Sequence, residues 1–110
     1  MARATQDTPQ SPPPDAGWRT PAVDDLCDAL LALRTRDEMA AFLRDVCSLH
    51  ELEVLSHRWH AARLLDQGVP YAQVAQRVRG STATVTRVAH WLRHGEGGYR
   101  IVLDRGARRP

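Results

Sequence analysis

Between Gly68 and Gly95 the chain carries four arginines, Arg77, Arg79, Arg87 and Arg93, and no acidic residue. An arginine-rich stretch without carboxylates departs from an ordinary solvated surface, where the two signs are interspersed, and guanidinium groups left unneutralised are suited to phosphate. Interleaved with them are Thr82, Ala83 and Thr86. A threonine hydroxyl can donate or accept at a base edge, and a threonine or alanine methyl can meet the methyl of thymine. The chemistry this set supports is recognition of double-stranded DNA, with Thr82, Ala83 and Thr86 at base edges and Arg77, Arg79 and Arg87 on phosphates.

Other chemistries find less support. The pairs Cys47 with His50 and His57 with His60 have ligand-like gaps, and His90 with His94 is an i, i+4 pair. On one helix, however, His50 and His57 stand about 10.5 Å apart along the axis, too far to share one ion. A metal-responsive regulator would have to use His57 and His60 with ligands from elsewhere, and no metal ligand is assigned. No glycine-rich phosphate loop, paired carboxylates or base-activated nucleophile is present, so no catalytic residue is assigned and an enzyme is not expected. Cys27 and Cys47 fit free thiols in a reducing cytoplasm. The chain start lacks an apolar core of the secretory kind and no run is long enough to span a bilayer, so a cytoplasmic protein without membrane contact is expected.

These residues must be positioned by helices, because strand signals are absent. Residues 1–19 are rich in proline and polar residues and are expected to be a disordered tail, with a second short tail at 106–110. Thr20-Pro21 offers a cap and a proline at the first helical position, followed by Val23, Leu26, Cys27, Leu30 and Leu31 at helical spacing, with an end near Leu33. Thr35 and Glu38 form one capping box, Ser48 and Glu51 a second. The latter opens a long helix with Leu52, Leu55, Trp59, Ala62 and Leu65 on its apolar face, stopped by Gly68. Tyr71, Val74, Ala75 and Val78 then mark a short helix, Arg79-Gly80 a turn, and Val85, Val88, Ala89 and Leu92 a second helix capped by Ser81. This is a helix-turn-helix over about 71–94, whose second helix, Ser81 to His94, would enter the major groove. Tyr99 to Arg105 is expected to dock as a short helix on the core or at an interface.

Charge agrees with this division. The net charge is only +2, but Thr20 to Leu49 holds six acids and three arginines, whereas the chain from His50 onward holds ten arginines and five acids. The first three helices each present an apolar stripe, more than a chain of this size easily hides, and a second copy would cover it. A helical protein-interaction module that does not bind DNA is the alternative.

The segment resembles the Trp-repressor-like family, and within it the small YerC/YecD-type bacterial helix-turn-helix proteins. The resemblance runs from about Leu26 to Arg105 through Glu51-Leu52, Arg58, Leu65 before Gly68, Tyr71, Ala75, Ser81 to Val88, and Gly98 to Leu103. It implies an all-α, intertwined homodimer that represses transcription from a palindromic site, with Thr82, Ala83 and Thr86 where the family reads bases. Arg87 falls where the Trp repressor meets its corepressor. The partner arginine of that clasp is replaced by His57, with Arg58 beside it, and a one-residue step turns a side chain by about 100°. Tryptophan is therefore not expected as a corepressor, and Arg58 is assigned to phosphate or to an ion pair at the dimer interface. The family's Gly-Ala-Ser turn is Arg79-Gly80-Ser81 here. Either the left-handed position has moved by one residue or Arg79 holds it under strain.

Overall fold

A helix starts where something satisfies its first free backbone N–H groups, and the first three starts in this chain follow that rule. In a computed structural model that describes residues 17–106, Thr20 Oγ1 accepts from Val23 N at 3.2 Å and Pro21 opens the helix. Thr35 Oγ1 accepts from Glu38 N at 3.1 Å, and the Glu38 carboxylate reaches back to Arg34 N at 2.8 Å, one residue earlier than the box expected at Thr35. At Ser48 the box is reciprocal, with Ser48 N donating to Glu51 at 2.8 Å and Glu51 N to Ser48 Oγ at 3.1 Å.

The helices are α1 (Pro21–Leu31), α2 (Arg36–Val46), α3 (Leu49–Asp66), α4 (Tyr71–Val78), α5 (Thr82–His94) and α6 (Gly98–Gly106), and no strand occurs among the described residues. The fold is all-α, as expected. None of these helices is long and apolar enough to cross a membrane. Residues 1–16 of the tail expected at 1–19, and 107–110 of that expected at 106–110, lie outside the described residues, while Gly106 ends α6.

The chain divides into two compact units, with the boundary between Phe42 and Leu43 inside α2. In the first, α1 and the leading part of α2 contain no buried residue, and Leu26, Leu31 and Met39 are exposed. The second unit holds the core. Ala61, Ala62 and Leu64 of α3 meet Val74, Ala75 and Val78 of α4 and Val85 and Val88 of α5, with Trp59, Leu65, Val69, Tyr71 and Tyr99 around the margin. Of the α3 residues expected on the buried face only Ala62 is fully covered; Leu52, Trp59 and Leu65 are half-buried and Leu55 is exposed. The reason is that α4 and α5 both pack on α3, and small side chains let three backbones approach closely. Burial therefore concentrates at Ala61, Ala62 and Leu64, near the end of α3.

Helix α6 docks on this second unit. Leu103 is buried, Tyr99 stacks on Trp59 with ring centres 6.5 Å apart, and Arg100 forks between Asp66 at 2.9 Å and Asp104 at 2.8 Å. Of the two docking modes considered for Tyr99 to Arg105, packing on the core is thus present within one copy.

The Ser48 box gives a pH prediction. The backbone N–H of Ser48, and then its hydroxyl, hold the Glu51 carboxyl below its ordinary range. A depressed acid contributes stability that is fully present above its unfolded value, about 4.3, and is lost as pH falls through the folded one. Glu51→Gln should therefore lower Tm slightly at neutral pH, and the gap from wild type should close as the pH falls below the ordinary carboxylate range. Thermal melts at neutral and at acid pH check this, and an unchanged gap would show that the charge of Glu51 is not involved.

Candidate nucleic-acid interface

Helix α4 starts at Pro70 without a side-chain cap, and its amphipathic face buries Val74, Ala75 and Val78. At its end the chain must turn sharply before Ser81, and two hydrogen bonds make the turn. Gly80 N donates to Ala75 O at 2.9 Å, and Arg79 N to Gln76 O at 3.3 Å. This paired closure requires a left-handed residue, usually glycine, at its first position. Arg79 occupies that position, with φ 56° and ψ 38°. Of the two alternatives left by the sequence, Arg79 bears the strain, and Gly80 is not among the positive-φ residues.

The strain can be moved. A Cβ added to Gly80 would meet nothing nearer than Val78 Cγ2 at 3.4 Å, an ordinary contact. The left-handed conformation costs a non-glycine residue roughly 1–2 kcal/mol, part of which glycine returns as chain entropy. Exchanging the pair, Arg79→Gly with Gly80→Ala, is expected to stabilise the fold by about 1 kcal/mol, or roughly 4–8 °C in Tm. A fall in Tm would mean that the turn does not hold this conformation in solution.

Ser81 caps α5, accepting from Thr84 N at 3.1 Å, and its hydroxyl lies 3.1 Å from that of Thr84. Val85, Val88 and Ala89 face the core. At about 100° per residue the opposite face collects Thr82, Ala83, Thr86, Arg87, His90, Arg93 and His94, all exposed. The three residues expected at base edges thus share one open surface at the start of α5. Arg77 on α4 and Arg79 in the turn are also exposed. The ion pairs among the described residues engage Arg19 and Arg100, leaving Arg58, Arg77, Arg79 and Arg87 unpaired.

Arg58 is placed differently from Arg77 and Arg79. With His57, Arg87, Trp91, Tyr99 and Val102 it lines an open groove of about 830 Å³. The offset between His57 and Arg58 does not remove either from this groove, since both border it. Burial raises the pKa of the Tyr99 phenol, with the Arg58 charge acting in the opposite sense. Gly95 closes the end of α5, where a side-chain carbon would collide with the Trp91 carbonyl oxygen. Sequence reasoning assigned Trp91 no place. Its exposure on a helix whose apolar neighbours Val88 and Ala89 are buried is the signal that marks it. His60 is exposed and does not border the groove with His57, and among the described residues no group of three or more His, Cys, Asp or Glu could hold a metal ion.

Comparison with known proteins places this geometry in context. Residues 21–107 match the family model described as Trp repressor protein. The chain is 34% identical over 83 residues to the uncharacterized protein YerC of Bacillus subtilis (strain 168), covering 76% of this chain and 80% of that one. It superposes on the crystal structure of a TrpR-like protein from Eubacterium eligens ATCC 27750 with a TM-score of 0.77 and 36% identity, covering 84% of this chain and 95% of that one. A crystal structure from Staphylococcus aureus gives a TM-score of 0.80 at 36% identity, covering 89% of this chain and 98% of the other.

Proposed function

The chain belongs to the Trp repressor family, and we propose that it is a sequence-specific DNA-binding transcription repressor that inserts α5 into the major groove. The observation that carries this reading is the exposed, acid-free face of α5, with short hydrogen-bonding side chains at its start and unpaired arginines beside it. Thr82, Ala83 and Thr86 take base edges, and Arg77, Arg79 and Arg87 take phosphates. Arg58 joins them if the backbone passes over the mouth of the groove, and otherwise pairs with an acid across a subunit boundary.

The protein acts as a homodimer in this reading. Leu26, Leu31 and Met39 in the first unit and Val46, Leu49 and Leu55 in the second are each exposed, and apolar side chains left open in this number favour a second copy. Two-fold symmetry then sets two copies of α5 about 34 Å apart, one turn of DNA, on a palindromic site. Tryptophan is not required, and DNA affinity is expected to be the same with and without it.

The test is a polarisation titration on genomic DNA fragments at two salt concentrations. Phosphate neutralisation gives a slope of log K against log salt near −0.9 per contact, so several arginines in each of two copies make binding fall steeply. Binding that is absent or insensitive to salt sinks the DNA reading and favours a protein-interaction module. Sedimentation over a range of concentrations tests the dimer.

A further inference from the structure

Two exposed imidazoles on the outward face of α5 have no partner in what has been described so far. His90 and His94 stand four residues apart, so they lie one above the other on the same helix face. Their ring centres are 5.2 Å apart, with the planes tilted by 46°. A zinc-like ion bonds an imidazole nitrogen at about 2.0–2.1 Å, and thus sits about 3.2 Å from each ring centre. Two rings on one tetrahedral ion are then about 5.2 Å apart. Both imidazoles are exposed, and the ion pairs among the described residues involve neither.

We propose that His90 and His94 form a two-imidazole site for a late divalent transition ion, zinc, nickel or copper, on the DNA-facing side of α5. Imidazole donors select these ions over magnesium or calcium, and copper should bind tightest. The protein supplies two ligands, so the remaining positions are open to water or to an anion. Arg87 precedes His90 by three residues and Arg93 follows it by three, which places both guanidiniums on the same surface. They disfavour a bare cation and attract phosphate, so the ligand that best completes the site is a phosphate oxygen. Metal and DNA therefore strengthen each other's binding by the same factor, as linkage requires. This coupling rests on the DNA-binding reading, whereas the site itself does not.

The structure also contains a reporter for the site. The Trp91 ring meets the His90 ring edge-on at 5.3 Å, so nickel or copper bound at His90 should quench its fluorescence. The full-length protein is titrated with Ni²⁺ and Cu²⁺, and with Mg²⁺ as control, alongside the variants His90→Ala, His94→Ala and Trp91→Phe. Loss of even an outer-sphere partner of a metal typically costs 10–100-fold, so each histidine variant should weaken the quenching titration by at least about tenfold. Trp91→Phe should remove most of the quenching, while dialysis still finds the bound ion. Quenching and stoichiometry unchanged in both histidine variants overturn the site. Repeating the DNA titration with Zn²⁺ tests the coupling: an increase in affinity lost in His94→Ala supports it, and no increase overturns it while leaving the site standing. Failure to bind DNA under any condition overturns the functional reading alone.

Discussion

Arg87→Ala is expected to weaken DNA binding by about 30-fold or more and to flatten its salt dependence. A hydrogen bond to a charged group contributes about 1.5–3 kcal/mol, and in a homodimer the substitution removes it twice. Even about 1 kcal/mol per copy amounts to about 30-fold. If Arg87 neutralises one phosphate per copy, the slope of log K against log salt should fall in magnitude by about 1.8. The loss should be nearly uniform across DNA sequences, because a phosphate contact positions the protein without reading a base. Thr86→Ala should behave differently, with its loss concentrated on the preferred sequence and its salt slope unchanged. Arg100→Ala is the control. Its guanidinium is already divided between Asp66 and Asp104, which hold its pKa above the usual arginine value. Removing it should leave the salt slope as it was. Polarisation titrations of the three variants at matched salt decide the matter, and equal slopes for Arg87→Ala and wild type would remove Arg87 from the phosphate interface.

What the sequence made legible follows from which interactions are local. The caps at Thr20, Ser48 and Ser81 involve residues three apart, and each stands where a hydroxyl residue precedes the apolar period, with an acid three residues on only at Ser48. The helix-turn-helix was equally readable, because Val74, Ala75, Val78, Val85, Val88 and Ala89 each pack on one side of a short helix. The long α3 is less legible for the opposite reason. Its apolar residues serve several neighbours on different sides, so periodicity points to Leu55, which is exposed, and not to Ala61 and Leu64, which are buried. The groove could not be read from spacing at all. His57, Arg87 and Tyr99 come together only when α3, α5 and α6 pack, and nothing local in the chain encodes that. The turn lies between these extremes. Its hydrogen bonds are local, but whether Arg79 or Gly80 is left-handed depends on where α4 ends, and Arg79 holds φ 56° because both bonds close on Ala75 and Gln76.

Three alanines that look alike in the sequence are expected to diverge when each becomes leucine. Ala62 is fully buried in the core that α3 shares with α4 and α5. Three extra carbons there must displace a helix, at about 1–3 kcal/mol or more, which corresponds to a fall in Tm of roughly 5–20 °C. Ala72, on the exposed side of α4, has room for the same side chain. Alanine and leucine are both strong helix formers, so Ala72→Leu should change stability by no more than about 0.5 kcal/mol. Ala83 is also exposed, at the start of α5, and Ala83→Leu should likewise spare the fold. In the proposed complex, however, the Ala83 methyl lies against a base edge, and a larger group forces α5 away from the groove floor. DNA affinity should drop at least about tenfold, a single misplaced base contact being worth about 1–3 kcal/mol. Melting curves at one protein concentration, which holds any dimer equilibrium fixed, are to be compared with DNA titrations of the same samples. Loss of DNA binding in Ala83→Leu with an unchanged Tm separates a recognition surface from a structural one. If Ala83→Leu binds DNA as wild type does, the start of α5 does not face the bases, and the contacts assigned to Thr82 and Thr86 fall with it.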